Sequence, residues 1–450
     1  MNIALSHFRI GETDGVSLEM EKWKLILEEM GHKVYYLAGS PGNTEAYIIP
    51  ELHYKEEENL KFIENAFVKL EDYKDETEFK SAIEAYAERA EKHLEKFIKE
   101  YKIDVLVPNN IWSRGWNIPV AIAFSNVINK LKIRCVAHNH DFYWEREKFV
   151  KGTCDYIENC LRDYFPPKDK LIKHVVINEI AREQLKERKG LDSTNVPNVF
   201  NFSGKLWTVD DYNRDFRETI GLNDDDILVL QATRIVERKA IELSIDVIAE
   251  MKSKENLEKL YSNKLYNGRQ FTSDNRIVLV LAGLHEFSSK YIEFLKIRAE
   301  DKGVELLFIN EIIEDVRCTK NGQKHYSLWD AFANSDLVTY PSIYEGWGNQ
   351  LLETVFAKKP VVVYEYPVYL TDIKSSGLDI ISLGSEYTTS ENGLVDVEKE
   401  IMKSAVAQSI EILIDNNKRA SMVEQNFEIC KQNFSYDSLA RILKGVFDFI

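Results

Sequence analysis

Cysteine is scarce in this chain: only five of its 450 residues are cysteines, and no two of them form a CxxC pair. Sparse and unpaired thiols are typical of proteins in the reducing cytosol, and they argue against a disulfide framework or a zinc site. We therefore expect a cytoplasmic protein that holds no metal through cysteine.

Long hydrophobic runs are missing as well. No segment approaches the roughly 18 uninterrupted apolar residues that a membrane-spanning helix needs, so no integral membrane segment is predicted. The opening MNIALSHFRIG has no basic region before its apolar run and no cleavage site built of small residues. We expect it to form a first strand and not a signal peptide.

Positive charge is outweighed by negative charge, and two common nucleophile or phosphate motifs are missing. The 58 Lys and Arg residues against 74 Asp and Glu residues give a net charge of −16. Nucleic acid and anionic membranes would repel such a surface, and neither is predicted as a partner. The chain contains no Walker loop of the form GxxxxGK(S/T) and no serine-hydrolase elbow.

What the chain does contain is an alternation of strands and helices that occurs twice. Strand patterns such as NIALSHF, HKVYYLAG and IDVLVPNN alternate with helical patterns in the first half, and DILVLQATR, RIVLVLAG and LVTYPS do so in the second. The stretch STNVPNVFNFSGK, rich in Pro, Asn and Ser, separates the halves. We predict α/β domains at residues 1–200 and 201–430, each with a parallel sheet, and a last helix within 431–450 that crosses back to the first domain.

The stretch YPSIYEGWGNQLLETVFAKKPVVVYE, residues 340–365, is predicted to form a strand, a glycine-containing turn and a helix. The first turn of that helix would present backbone N–H groups and the positive end of the helix dipole, which together favour an anion. Glu345 and Glu353 flank the helix start, a spacing that suits binding the hydroxyls of two sugars with a diphosphate between them. Alternatively, Glu353 is an exposed helix residue and Glu345 lies near the cap.

A second motif, QATRIVERKAIELSI, places Arg234 and Lys239 between a strand and a helix. Two cations at the carboxyl end of a strand would bind the phosphates of the same ligand. A purely structural role is the alternative, although cations at a helix start oppose the helix dipole.

A third motif, AHNHDFYWEREK, gathers His138, His140 and Asp141 at the end of a strand. These side chains suit metal binding, acid–base chemistry or contact with a sugar, but no obvious third metal ligand is found elsewhere. Tyr143 and Trp144 would either stack on a sugar ring or cover the core.

Three of these stretches resemble the family 4 retaining glycosyltransferases: PSIYEGWGNQLLETVFAKKP, TRIVERKAIELSI and the linker NVPNVFNF. The resemblance implies the GT-B fold, in which two facing Rossmann-like domains carry parallel sheets flanked by helices. It also implies that the N-terminal domain binds the acceptor and that the C-terminal domain binds the nucleotide sugar. Trp347 departs from the family pattern, in which Phe is usual.

The resemblance assigns roles on the donor side. Glu353 would bind the ribose hydroxyls, Arg234 and Lys239 would neutralise the departing diphosphate, and Glu345 would contact the transferred hexose. Further donor-binding residues are predicted at the turn and first helical positions and at the end of another strand: Gly346, Trp347, Gly348, Asn349, Gln350 and Gly283.

On the acceptor side, the resemblance maps a glycine loop to the region of Asp14 and Gly15, and a sugar-binding histidine to His138 or His140, with Asp141 beside them. His140 is favoured because Arg146 follows it six positions later, as the family pattern has it. Such enzymes need no metal and no other cofactor, and a phosphate oxygen of the departing nucleotide accepts the proton of the acceptor.

The sequence therefore predicts a hexosyltransferase that moves mannose or glucose from a nucleotide sugar to a small hydroxylated acceptor. A likeness to family members that glycosylate small solutes favours GDP-mannose over UDP-glucose as the donor. The alternatives are a nucleotide-sugar 2-epimerase or a phosphorylase on the same fold, or a non-catalytic protein that binds a nucleotide sugar. No oligomeric state is predicted.

Overall fold

Alternating strands and helices form two parallel sheets, one in each half of the chain. The computed structural model describes residues 1–11, 15–283 and 289–448. Its contacts divide the chain into unit 1, which comprises Met1–Val199 and Tyr436–Ile450, and unit 2, which comprises Phe200–Ser435. The division falls within the predicted linker NVPNVFNF.

The sheet of unit 1 has seven strands in the order β3-β2-β1-β4-β5-β6-β7, and every neighbouring pair is parallel. The central strands are apolar and buried on both faces, as expected for a parallel sheet covered by helices. The strands are β1 (Asn2–His7), β2 (Lys33–Ala38), β3 (Tyr47–Ile48), β4 (Val105–Pro108), β5 (Arg134–Asn139), β6 (Ile172–Val176) and β7 (Ser193–Asn195).

Polar side chains cap several helices of unit 1. Asp75, Asn117 and Asn178 each accept a hydrogen bond from a backbone N–H of the first turn that they cap. The helices are α1 (Gly15–Glu29), α2 (Glu57–Phe67), α3 (Glu76–Tyr101), α4 (Ile118–Leu131), α5 (Asp155–Tyr164) and α6 (Glu179–Lys189), with one-turn 3-10 helices at Pro50–Leu52, Tyr143–Glu145 and Glu147–Phe149.

The main sheet of unit 2 has six parallel strands in the order β10-β9-β8-β14-β15-β16. Two small sheets, β11-β13-β12 and β17-β18, accompany it. The strands are β8 (Ile227–Gln231), β9 (Ile277–Leu281), β10 (Glu305–Phe308), β11 (Ile313–Glu314), β12 (Cys318–Lys320), β13 (Gln323–Ser327), β14 (Leu337–Tyr340), β15 (Val361–Val363), β16 (Ile381–Ser382), β17 (Thr388–Thr389) and β18 (Val395–Asp396).

Helices connect these strands as in unit 1. They are α7 (Phe216–Thr219), α8 (Ile241–Met251), α9 (Lys254–Ser262), α10 (Ser289–Asp301), α11 (Leu328–Asn334), α12 (Asn349–Phe356), α13 (Lys399–Ile414) and α14 (Asn416–Asn433). Short 3-10 helices lie at Glu237–Lys239, Asn310–Ile312 and Lys374–Ser376, and a π-helix at Tyr369–Ile373.

The last helix, α15 (Tyr436–Phe447), belongs to unit 1 although it follows unit 2 in the chain. Its Leu439 and Leu443 are buried in one apolar cluster with Met20 and Trp23 of α1. Because α14 continues to Asn433, this helix starts later than the residue 431 at which we placed the last segment. Within the described ranges, no helix is long and apolar enough to cross a lipid bilayer.

Candidate active site

The two loops predicted to bind the donor meet at the carboxyl edge of the unit 2 sheet. Strands β8 and β14 are parallel neighbours, with Leu337 opposite Val229, so the segments that follow them emerge side by side. The backbone N–H of Ile343 donates to the carbonyl of Arg238 at 3.0 Å, which ties one loop to the other. Arg234 and Lys239 therefore lie in the loop next to the one that carries Glu345.

Glu345 is the centre of an ion-pair network in this edge. Its Oε1 accepts a hydrogen bond from Nζ of Lys239, and its Oε2 accepts one from Nη1 of Arg238 at 3.0 Å. The side chains of Lys239 and Glu345 are only 9% and 11% exposed. The carboxylate of Glu345 therefore neutralises the charges of Lys239 and Arg238.

Burial and pairing act in opposite directions on this network. Burial disfavours the charged carboxylate, but the nearby Lys239 and Arg238 outweigh that effect and hold the pKa of Glu345 below its ordinary value. Burial lowers the pKa of Lys239, and the charge of Glu345 offsets part of that decrease. We conclude that the pair is ionised and that each member keeps the other charged.

The backbone of Lys239 is fixed by buried polar groups beneath it. The side-chain amide of Gln231 donates to the carbonyl of Lys239 at 3.3 Å and to Oγ1 of Thr233 at 3.1 Å. Oγ of Ser244 in turn donates to Oε1 of Gln231 at 2.6 Å. The ammonium group is thus held by a loop whose own polar groups are paired within the fold.

Gly283 lies against the loop that carries Arg234. A Cβ atom at this position would stand 1.7 Å from the carbonyl oxygen of Thr233 and 2.8 Å from the backbone nitrogen of Arg234. Such distances are not physically possible, so any side chain would displace the loop. The Arg234 side chain itself is exposed at this edge. Gly283 therefore sets the position of Arg234 through the backbone.

Helix α12 begins where the loop after β14 ends. Gly348 is its N-cap with φ of +157°, and a Cβ there would stand 2.2 Å from Oη of Tyr366. Trp347 and Gln350 are 4% and 8% exposed, and the buried Nε1 of the first and Nε2 of the second have no hydrogen-bond partner. Unpaired buried donors are unfavourable, and a polar ligand that accepts from them would stabilise the site.

The remaining predicted donor residues fall on the same segment. Gly346 is exposed in the loop and Asn349 is the first residue of α12, while Glu353 lies one turn further along with a half-buried side chain. The structure thus brings the whole predicted donor set of unit 2 to one sheet edge. Arg238 is the residue that sequence reasoning missed, although it directly precedes Lys239 in the same motif.

In unit 1, the predicted histidines lie at the carboxyl end of β5. His138 is buried, its ring stacks on Trp23 at 4.4 Å, and its Nε2 has no hydrogen-bond partner. The ring of His140 lies 4.1 Å from that of His138, and its Nε2 lies 3.2 Å from Oδ1 of Asn109. The contact between His140 and Asn109 indicates that Nε2 of His140 carries the proton, because an amide oxygen accepts hydrogen bonds.

Burial keeps both imidazoles neutral. It lowers the pKa of His138 to about 3. It also lowers the pKa of His140 well below the ordinary value, and the nearby positive charge of Arg114 acts in the same direction. These histidines can therefore exchange hydrogen bonds with hydroxyl groups, but they are poor sites for a proton at neutral pH.

Asp141 is held by the residues around it. Its Oδ2 lies 3.0 Å from Nε of Arg114 and 3.6 Å from Nη2 of Arg146. Its Oδ1 accepts a hydrogen bond from the side-chain amide of Asn110 at 3.1 Å. Burial raises the pKa of Asp141, and the two arginines offset part of that increase. Arg146 therefore contacts Asp141 rather than either histidine.

Tyr143 and Trp144 are engaged within unit 1. Trp144 stacks on Phe142 at 4.3 Å and donates from Nε1 to Oε1 of Gln184 at 2.8 Å, while Tyr143 packs on the apolar core. These contacts favour the interpretation that both rings cover the core. Gly15 is exposed as the first residue of α1, and the predicted Asp14 lies outside the described residues.

Metal ligation was one interpretation of the histidine motif. Across the residues that the structure describes, no group of three or more His, Cys, Asp and Glu side chains is placed to hold a metal ion.

With the geometry in place, comparisons identify the class of enzyme. Residues 213–428, nearly all of unit 2, match the family described as glycosyl transferases group 1. Mannosylglucosylglycerate synthase of Petrotoga mobilis is 43% identical over 90% of this chain and 93% of its own length. The chain belongs to this glycosyltransferase family. The corresponding protein of Thermotoga maritima is 41% identical over 98% of this chain and 99% of its own.

The fold of this glycosyltransferase is also that of solved members of the class. Sucrose-phosphate synthase of Thermosynechococcus elongatus superposes with a TM-score of 0.60 and 12% identity, over 99% of this chain and 98% of its own. The predicted GT-B architecture of two Rossmann-like units is confirmed. The likeness to glycosyltransferases that act on small solutes is confirmed by the two relatives named mannosylglucosylglycerate synthase, whereas the epimerase, phosphorylase and non-catalytic alternatives are not favoured.

Proposed function

We propose that this glycosyltransferase transfers a mannosyl residue from GDP-mannose to glucosylglycerate, with retention of the anomeric configuration and without a metal. The observation that carries the proposal is the identity of 43% and 41%, over nearly the whole chain, to two proteins named mannosylglucosylglycerate synthase. That name supplies both the sugar transferred and the small hydroxylated acceptor.

In this proposal the carboxyl edge of unit 2 binds the donor. Lys239, Arg238 and Arg234, with the first turn of α12, would bind the diphosphate. As the bond between sugar and phosphate breaks, negative charge grows on the leaving group, and fixed cations and oriented N–H groups stabilise that charge most effectively. Three basic side chains in one loop, next to a helix start, support this assignment.

Glu345 would change partners during binding. In the structure its carboxylate is paired with Lys239 and Arg238. When the diphosphate takes over those cations, the carboxylate becomes able to accept hydrogen bonds from the hydroxyls of the mannosyl group. Glu353, one turn into α12, would bind the ribose.

In unit 1 the acceptor and the sugar would meet neutral hydrogen-bonding groups. The depressed pKa of His138, about 3, makes it unsuitable as a general base at neutral pH. Its unpaired Nε2 is instead suited to one hydrogen bond with a hydroxyl. The proton of the acceptor would therefore pass to an oxygen of the leaving phosphate, and no protein base or metal is needed.

The decisive experiment supplies GDP-mannose or UDP-glucose with glucosylglycerate and follows the products by NMR. We expect mannosyl transfer from GDP-mannose, an anomeric configuration equal to that of the donor, and unchanged rates after treatment with a chelator. Transfer only from UDP-glucose would overturn the donor. An inverted product would overturn retention, and loss of activity on chelation would overturn metal independence.

The same reactions test the alternatives. Turnover of the donor without an acceptor would indicate an epimerase, and dependence on inorganic phosphate would indicate a phosphorylase. The cytoplasm is the proposed compartment, because all five cysteines are free thiols and three of them are buried.

A further inference from the structure

A cluster of buried cations lies at the edge of the unit 2 sheet opposite the donor-binding loops. Its members surround Asp336, which directly precedes β14, whereas Glu345 follows the same strand. Lys359 precedes β15, the next strand of the sheet. Since β14 has four residues, the two edges are about 13 Å apart. A ligand of this edge would therefore be separate from the donor diphosphate.

Asp336 is fully buried and receives four hydrogen bonds. Its Oδ2 accepts from Nη2 of Arg217 at 2.7 Å and from the backbone N–H of Leu228 at 2.8 Å. Its Oδ1 accepts from Nη2 of Arg269 at 2.5 Å and from Oη of Tyr266 at 2.9 Å. These bonds use all the capacity that the carboxylate offers, so it cannot serve further cations directly.

Two more cations lie next to this centre. The guanidinium carbon of Arg419 lies 3.8 Å above the ring of Tyr266, and the side chain belongs to a residue that is only 6% exposed. Nζ of Lys359 donates to the carbonyls of Ala333 and Ser335, each at 2.9 Å. Burial, followed by the charge of Arg419, lowers the pKa of Lys359 to about 7.

The charges in this cluster do not balance. Arg217 and Arg269 pair with the carboxylate of Asp336. Two further basic side chains, Lys359 and Arg419, lie near enough for its charge to act on them. The nearby Asp226 carboxylate is engaged by Arg276 at 2.8 Å. Nη1 of Arg419 and Nε of Arg269 are buried and have no hydrogen-bond partner. Buried charges and donors without counterparts are costly, and an anion that accepts from these donors would stabilise the arrangement.

We propose that the Asp336 cluster, defined by Asp336 and these four cations, binds a small oxyanion, namely the phosphate group of free phosphate or of a phosphomonoester. Planar guanidinium groups with spare N–H donors are the preferred partners of phosphate oxygens. The anion accepts from Nη1 of Arg419 and Nε of Arg269. It thereby links α14 to the segments that precede β9 and β14 and stabilises unit 2.

The test is thermal unfolding of the full chain in increasing inorganic phosphate, compared with NaCl at the same ionic strength. We expect a saturable rise in Tm of at least about 2 °C beyond the salt control, because a ligand of the folded state stabilises it by mass action. The rise should persist in Lys239→Ala, which weakens the donor site, and vanish in Arg419→Gln. Arg162→Gln, an exposed arginine of unit 1, is the control and should behave as wild type.

A parallel titration with glycerol 3-phosphate, with glycerol as its control, separates the two sources. A rise with both phosphates indicates that the phosphate group is recognised, and a rise with inorganic phosphate alone assigns the site to the free ion. Equal effects of phosphate and NaCl, an undiminished rise in Arg419→Gln, or loss of the rise in Lys239→Ala would each overturn the proposal.

Should Arg419→Gln fail to fold, wild-type crystals soaked in selenate give a second measurement. An anomalous peak within hydrogen-bond distance of Nη1 of Arg419 supports the site. A map without that peak overturns it.

Discussion

Replacing Glu345 by Gln tests whether this carboxylate competes with the proposed donor phosphates for Lys239 and Arg238. The substitution keeps the shape of the side chain and removes the charge that pairs with Lys239 and Arg238. Removing one partner of a buried ion pair destabilises a protein by about 3–5 kcal/mol. Arg238 is 37% exposed and can turn to solvent, so we expect about 2–3 kcal/mol here.

The same substitution should strengthen the binding of GDP. If the proposed site is correct, the diphosphate displaces the carboxylate from the two cations in the wild type. In Glu345→Gln the cations have no such competing charge. If about 2 kcal/mol of the lost stability is regained on binding, the Kd of GDP falls roughly 30-fold. Turnover with the sugar donor should nevertheless decrease, because the group proposed to contact the hexose is altered. Calorimetric titration measures the Kd, and thermal unfolding measures the stability.

Asp246 offers a matched control in the same unit. Its carboxylate is also 11% exposed, and it also pairs with two cations, Arg298 and Lys302. Asp246→Asn should therefore lower stability to a similar degree and leave the Kd of GDP unchanged. The reasoning is refuted if Glu345→Gln binds GDP no more tightly than the wild type while its stability falls as expected.

Three further predictions concern the scaffold. Gly283→Ala should lower both Tm and GDP affinity, because its Cβ would overlap the loop after β8. Gly445→Ala, which meets open space within α15, should not lower Tm and should leave GDP affinity unchanged; equal results for the two variants in thermal unfolding and titration would contradict this. Gly348→Ala should weaken donor binding, and adding Tyr366→Phe should restore part of it because the hydroxyl is the atom in conflict; absence of any rescue would point to the backbone angle alone. Burial lowers the pKa of His174 to about 4, so this residue stays neutral in the folded protein and gains a proton on unfolding. The free energy of unfolding should therefore fall as the pH drops below about 6.5, by about 2 kcal/mol at pH 5. Urea titrations of His174→Gln should show a smaller loss.

The features that sequence reasoning predicted correctly are those that depend on neighbours along the chain. Apolar runs bounded by turns predicted the strands, and the alternation of these strands with helices predicted two parallel sheets, as observed. Because parallel strands end at a common edge, Lys239 and Glu345 could be expected near one another although 106 positions separate them. The roles assigned to these residues stay predictions.

Other features depend on which side chains meet in space, and no spacing in the sequence announces them. The residues of the Asp336 cluster come from positions between 217 and 419. In the sequence, each of them looks like an ordinary charged residue of a loop or helix. The pairing of Arg238 with Glu345 was not predicted, for the same reason. The burial of His138 against Trp23 also depends on how α1 packs on the sheet.

The two units divide the electrostatic demands of the proposed reaction between them. A departing diphosphate gathers negative charge, and for the proposed reaction unit 2 provides a buried lysine and an arginine that are both paired with Glu345. In the proposed reaction, an acceptor hydroxyl must lose its proton. Unit 1 provides imidazoles that burial keeps neutral, and these can hydrogen-bond to a hydroxyl without adding a charge. Neutral histidines in one unit and paired cations in the other therefore fit a transfer in which the leaving phosphate itself accepts the proton.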